Sequence, residues 1–218
     1  MIVLKRGAIF DMDGTLLDTE KYYSQGWIET ADKFGVERKP ELALAMSGSN
    51  WTAMPGILHR FYPNIDADKY IETVVNFAKS EAKKKLDLMS GVKEILEYFN
   101  SQNILMAVAS SSQASTIEEN LQRTDIRKYF QSIVGGDQIK NGKPAPDIFI
   151  KAAQGLNLEA NECYVFEDSF NGVRAGHASG ALTIMIPDQV LPDDEIKSIC
   201  TVYDNLKLAM LAIQNNEI

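Results

Sequence analysis

Gly7-Ala8-Ile9-Phe10-Asp11-Met12-Asp13-Gly14-Thr15 is the stretch on which the reading of this chain turns. Its four leading residues predict a short buried strand, and the run then becomes acidic at once. Along an extended backbone the period of two places Asp11 and Asp13 on one side and Met12 opposite, while Gly14 permits a sharp turn and close backbone approach. Two carboxylates then share one crevice. Like charges that close raise one pKa unless a cation relieves them, so the pair suits a metal site or a nucleophile with a general acid/base. A solvated acidic turn is the plainer alternative for the pair taken alone.

Working outward, further short apolar runs at Ile104–Ala109, Ser132–Val134, Cys163–Phe166 and Leu182–Ile186 also predict buried strands. Between and around them lie helical patterns at Val92–Phe99, Ser115–Gln122, Pro146–Gly155 and Gly172–Ala178, the last stopped by Gly180. Strand and helix in alternation give an α/β fold, a parallel sheet covered on both faces. One interval breaks the alternation. From Leu16 to about Asp87 there is no convincing strand but several amphipathic stretches, among them Tyr22–Phe34 and Tyr70–Leu86, so a helical insert follows the first strand. Its hinges are expected near Leu16–Glu20 and Asp87–Gly91.

In an open parallel sheet, ligands sit at the carboxyl ends of the strands. Strand two runs into Ala109-Ser110-Ser111-Ser112, hydroxyls that can cap a helix or hold an anion. Strand three is followed by Asn141-Gly142-Lys143-Pro144-Ala145-Pro146-Asp147, in which two prolines fix the backbone around a lysine. Strand four ends in Glu167-Asp168-Ser169, a second acidic pair. A P-loop is excluded, because five residues separate Gly136 from Gly142 and Lys143 precedes Pro144. The combination is far more specific than its parts, since each element follows a different strand where the fold places a site. Several carboxylates without His or Cys suit Mg²⁺, which commonly bridges carboxylate to phosphate.

The 218 residues allow one large domain or one with an insert, and 45% hydrophobic with 24% charged residues is a globular composition. Twenty-two basic against thirty acidic residues leave −8, so no global field attracts nucleic acid and an anionic ligand must be held locally. Cys163 and Cys200 are too few for a disulfide scaffold, and the N-terminus lacks a signal peptide's apolar core. No apolar run approaches the about 18 residues of a membrane span. A cytoplasmic protein, monomeric or a small homo-oligomer, is the expectation.

The ordered motifs Asp11-Met12-Asp13-Gly14-Thr15-Leu16-Leu17-Asp18, Ser110, Gly142-Lys143-Pro144-Ala145-Pro146-Asp147 and Glu167-Asp168-Ser169 resemble those of the haloacid dehalogenase superfamily of phosphatases and phosphomutases. The resemblance spans essentially the whole chain. It implies a Rossmann-like core with its first strand central, formed by residues 1–15 and 88–218, and an α-helical cap over 16–87. It implies that Asp11 is the nucleophile forming an aspartyl-phosphate and that Asp13 protonates the leaving oxygen, then activates the acceptor. Ser110 and Lys143 would hold phosphoryl oxygens. Mg²⁺ would be bound by Asp11, Asp13 through its backbone carbonyl, and Asp168, with Glu167 supporting a bound water.

The position of the insert resembles the branch containing β-phosphoglucomutase, phosphoglycolate phosphatase and sugar-phosphate phosphatases. In that branch a cap loop contacts substrate, here Met46-Ser47-Gly48-Ser49-Asn50-Trp51-Thr52, which makes Gly14, Ser111, Tyr23, Ser47, Gly48 and Trp51 candidate substrate contacts. β-Phosphoglucomutases usually carry a histidine in the first cap helix and Lys and Arg around the cap-loop glycine; this chain has Tyr23, Ser47 and Trp51. Without those cations a monophosphate substrate is expected, and a phosphatase ahead of a mutase; a non-catalytic protein of the same fold is the remaining alternative. An acid at Asp13 speaks against the dehalogenase and phosphonatase branches, because an alkoxide leaving group needs a proton. His177, on the helix after the last motif, is expected to be structural.

Overall fold

The computed structural model describes residues 4–46 and 53–218. Its centre is β1 (Gly7–Phe10), buried at every position. β2 (Leu105–Ser110) lies on one side and β4 (Cys163–Glu167) on the other, with Phe10 opposite both Val108 and Phe166. With β3 (Ser132–Gly135), β5 (Leu182–Met185) and β6 (Thr201–Val202), the described residues form a six-stranded parallel sheet in the order β3-β2-β1-β4-β5-β6. The five strands read from apolar runs are all present. β6 was not legible, since two half-buried residues carry no period.

Alternate residues of each strand face opposite layers, as the strand period requires. Ala8 and Phe10 join Met106, Val108, Tyr164 and Phe166 on one face, packed by α5 (Val92–Ser101) and α10 (Leu206–Gln214). There Phe10 stacks on Phe166 with ring centres 4.7 Å apart. Ile9, Ala107, Ala109 and Val165 form the other face with α7 (Asp147–Gly155). α6 (Ala114–Arg123) follows β2, and α8 (Phe170–Ser179) follows β4. α8 is capped by Ser169, whose Oγ accepts from Gly172 N at 3.1 Å, and it stops at Gly180 in the left-handed region. α9 (Asp194–Ile199) and α10 lie beyond the last strand read from sequence.

Between β1 and β2 the chain builds α1 (Glu20–Lys33), α2 (Pro40–Met46), α3 (Met54–Phe61) and α4 (Ala67–Lys84). These helices bury their own cluster, in which Trp27, Leu42, Leu58, Tyr70 and Val74 are enclosed and Tyr70 OH donates to Trp27 O at 2.8 Å. The two connections to the sheet run side by side: Asp18 N donates to Asp87 O (3.0 Å), Met89 N donates to Leu16 O (2.9 Å), and Leu17 bridges Leu88. The expected hinges are therefore a paired two-strand strut. Gly91, at φ +87°, turns the second connection into α5. Cys163 and Cys200 are unpaired, and no helix among the described residues is long and apolar enough to cross a membrane.

Candidate active site

β1 delivers Asp11 directly to the end of the sheet, and its backbone N still donates to Phe166 O at 2.9 Å. The chain then folds back on itself, with the amides of Leu16 and Leu17 both donating to Met12 O (3.0 and 2.9 Å). Gly14 makes that reversal at φ +81°, and a Cβ there would collide with the Asp168 carboxylate. Asp13 is thereby turned towards three hydroxyls. Thr19 Oγ1 donates to its Oδ1 at 2.7 Å, and Ser112 and Ser110 donate to Oδ2 at 3.1 and 3.5 Å. Burial pushes the Asp13 carboxyl above its ordinary value, and these hydroxyls hold the rise in check.

Lys143 arrives from the loop after β3, where its peptide bond to Pro144 is cis. Its buried ammonium donates to Asp11 Oδ1 and Glu167 Oε1 at 2.5 Å each and to Ala109 O at 3.3 Å, above the Phe149 ring. The other oxygen of Glu167 accepts from the N (2.8 Å) and Oγ (3.0 Å) of Ser169. Burial works against the ammonium, but Asp11 and Glu167 outweigh it and hold Lys143 above its usual value. Burial raises the Asp11 carboxyl to about 7 even though Lys143 opposes the rise. Asp168 is raised well above its ordinary value by burial and then by Glu167 and Asp11; among its neighbours Thr15 Oγ1 reaches its Oδ1 at 3.4 Å.

Asp11, Glu167 and Asp168 bring one carboxylate oxygen each within 4.8 Å of one another. Three buried acids against one shared ammonium leave negative charge uncompensated, and an oxygen-only donor set fits a hard divalent cation. The Asp13 carboxylate stands outside this trio, engaged by its three hydroxyls.

Asp11, Asp13, Tyr23, Ser110, Ser111, Lys143, Glu167 and Asp168 line one cavity of about 150 Å³, so the structure gathers eight of the sequence candidates. Gly14 is not part of the lining and acts behind it, through the turn. Ser47, Gly48 and Trp51 lie outside the described residues. Of the insert's further basic residues Arg38, Lys39, His59 and Arg60, Arg38 pairs with Asp32, Lys39 donates to Phe61 O and His59 meets Ile65 O, and none of the four lines the cavity. His177 is exposed in the last turn of α8, away from the cavity.

Residues that the motifs did not reveal also line it. Ser112 was the third member of a serine run whose facing could not be read. Glu20, Trp27, Met46, Met54 and Val75 come from the helical insert. The legible signal for Glu20 was its spacing of three from Tyr23 and seven from Trp27, which puts all three on one face of α1. Burial raises the Glu20 carboxyl to about 8, with Asp13, Asp188, Asp11 and Glu167 adding to the rise.

The sequence profile of haloacid dehalogenase-like hydrolases matches residues 8–186. A phosphorylated carbohydrates phosphatase of Thermotoga maritima is 35% identical over 79% of this chain and 80% of its own. A fructose-1-phosphate phosphatase of Escherichia coli is 30% identical over 80% of this chain and 92% of its own. Among solved structures, a β-phosphoglucomutase from Clostridium difficile superposes with a TM-score of 0.78 at 22% identity, over 98% of each chain, a likeness of fold. With sheet order, strand-end residues and profile in agreement, this chain belongs to the haloacid dehalogenase-like hydrolase family.

Proposed function

We propose that the chain is a Mg²⁺-dependent phosphatase that hydrolyses a small phosphomonoester, a sugar phosphate, through an aspartyl-phosphate on Asp11. The observation that carries this reading is the Lys143 ammonium bridging Asp11 and Glu167 while Asp13 is held apart by three hydroxyls. Phosphoryl transfer needs positioning and charge neutralisation more than covalent chemistry, and a carboxylate nucleophile divides one displacement into two. The two named phosphatase relatives support a phosphorylated carbohydrate as substrate.

In this reading Asp11 Oδ attacks phosphorus and the bond to the leaving oxygen breaks. Asp13, whose carboxyl burial pushes above its ordinary value, donates a proton to the departing alkoxide. It then takes a proton from the water that attacks the aspartyl-phosphate, releasing inorganic phosphate and restoring Asp11. Ser110 and Lys143 hold phosphoryl oxygens. Asp11, Asp168 and the backbone carbonyl of Asp13 would hold Mg²⁺, with Glu167 supporting a bound water; when present, the ion neutralises charge between Asp11 and the phosphate dianion. Residues 16–87 serve as the cap over this chemistry, a role supported by their separate hydrophobic cluster and their share of the cavity wall.

A panel of phosphorylated metabolites assayed for phosphate release with and without Mg²⁺ tests the reading, with Asp11→Asn as the blank. Mg²⁺-dependent release by the wild type alone is expected. Isomerisation of a hexose phosphate without release would replace it by the mutase reading, and inactivity across the panel by a non-catalytic one.

A further inference from the structure

The wall of the cavity opposite the strand ends differs in kind from the strand-end side. It comes from α1 to α4 and offers Trp27, Met46, Met54 and Val75, with three polar groups, the carboxyl of Glu20 and the hydroxyls of Tyr23 and Ser24, the last of which donates to Gln189 Oε1. Glu20 and Tyr23 are half-buried one turn apart on α1, and among the described residues neither side chain has a hydrogen-bond partner in the protein. Polar groups that line a cavity and have no partner within the protein are available to hydrogen-bond what enters it. Lys143 is the one cation lining the cavity among the described residues, and it is occupied by Asp11 and Glu167. The segment Ser47-Gly48-Ser49-Asn50-Trp51-Thr52 contains no Lys, Arg or His in its sequence either.

A hydroxyl can donate to a carboxylate and accept from a carboxylic acid, so Glu20 binds one in either protonation state. A second phosphate or a carboxylate on the leaving group would instead lie in this cavity against Asp13 and Glu20, with Lys143, the cation that lines it among the described residues, already engaged, and like charges so placed are strongly disfavoured. The apolar wall beside these groups complements the C–H faces of a polyol carbon skeleton.

We propose that Glu20, with Tyr23 beside it, determines specificity by reading the leaving group of the phosphoester: it takes a neutral, polyhydroxylated group through its hydroxyls and rejects leaving groups that carry a second negative charge. This inference rests on the phosphatase reading and narrows its substrate to neutral sugar or sugar-alcohol monophosphates.

The test compares kcat/KM for a hexitol monophosphate, a hexose bisphosphate and phosphoglycolate in the wild type, Glu20→Ala, Glu20→Gln and Tyr23→Phe. The wild type is expected to favour the hexitol monophosphate over both substrates whose leaving group carries an anionic group of its own by at least about tenfold. Glu20→Ala should reduce that preference about tenfold or more, Glu20→Gln less, and Tyr23→Phe partially, mainly through KM for the hexitol ester. Because each preference is a ratio within one protein, a fraction of misfolded variant cancels. Equal preference in wild type and Glu20→Ala, or a wild type that favours phosphoglycolate or the bisphosphate, overturns the inference while leaving the phosphatase reading intact. No hydrolysis of any ester by the wild type defeats the phosphatase reading and this inference with it.

Discussion

Lys143 Nζ lies 2.5 Å from Asp11 Oδ1 across 132 residues of sequence, and the same nitrogen holds Glu167. Removing one partner of a buried ionic cluster costs far more than the cluster contributes net, because the remaining charges stay buried and unpaired. Lys143→Ala is therefore expected to destabilise the metal-free protein by about 3–5 kcal/mol in urea unfolding, with saturating Mg²⁺ restoring part of the loss. Phosphate release should fall by about 100-fold or more. Wild-type stability in the metal-free variant would show that the ammonium is not what balances these acids.

Gly172 is placed where only hydrogen fits. A Cβ at this position, in the first turn of α8, would overlap the Glu167 carboxylate. Gly172→Ala must push Glu167 off Lys143 and off Ser169, at a cost of about 1–3 kcal/mol. The midpoint of Mg²⁺ activation, measured by phosphate release against metal concentration, should rise as well. An unchanged midpoint would mean that Glu167 takes no part in supporting the ion.

The raised carboxyls at the strand ends set a pH dependence whose sign is definite. Asp11 at about 7 and Glu20 at about 8, with Asp13 and Asp168 also raised, keep protons in the folded state that the unfolded chain has released. Folding then binds protons, so stability is full below the ordinary carboxylate values near 4 and is lost as pH rises towards 8. Asp32, Asp87 and Glu118 are lowered and act in the opposite sense, but below those ordinary values and in exposed ion pairs. The Tm of protein stripped with a chelator should fall between about pH 5.5 and 8, and Mg²⁺ should remove most of that fall. A Tm that is flat or rises over this range without metal would contradict the raised values.

Arg123, at the end of α6, donates to Ala82 O and Lys83 O at 2.8 and 3.0 Å, and so caps the last turn of α4 from the sheet side. A cation at a helix C-terminus contributes about 0.3–1 kcal/mol when exposed. Arg123→Ala is expected to leave global stability within about 1 kcal/mol while speeding amide exchange in the last turn of α4. Exchange unchanged there would show that the contact does not tether the helical insert.

The sheet was legible because its five longer strands are short apolar runs stopped by polar or glycine residues, and each such run falls on a strand to within a residue or two. The strand-end residues were legible because the topology brings Asp11, Ser110, Lys143, Glu167 and Asp168 to one edge whatever the side-chain detail. β6 was not, since two residues show no period. Glu20 and Met54 were hidden for a different reason: their place in the cavity depends on how α1 and α3 pack over the sheet, a tertiary fact that helix periodicity narrows to a face but does not aim. Gly172 was hidden because its importance lies in a clash with Glu167 that only coordinates reveal.

The central claim is covalent chemistry at Asp11, and the direct test is to quench turnover in acid and locate phosphate on the peptide by mass spectrometry. One phosphoryl group is expected on the Gly7–Lys21 tryptic peptide of the wild type, fragmenting to Asp11, with neither adduct nor phosphate release from Asp11→Asn. Phosphate release by Asp11→Asn at the wild-type rate, or an adduct at another residue, would contradict it.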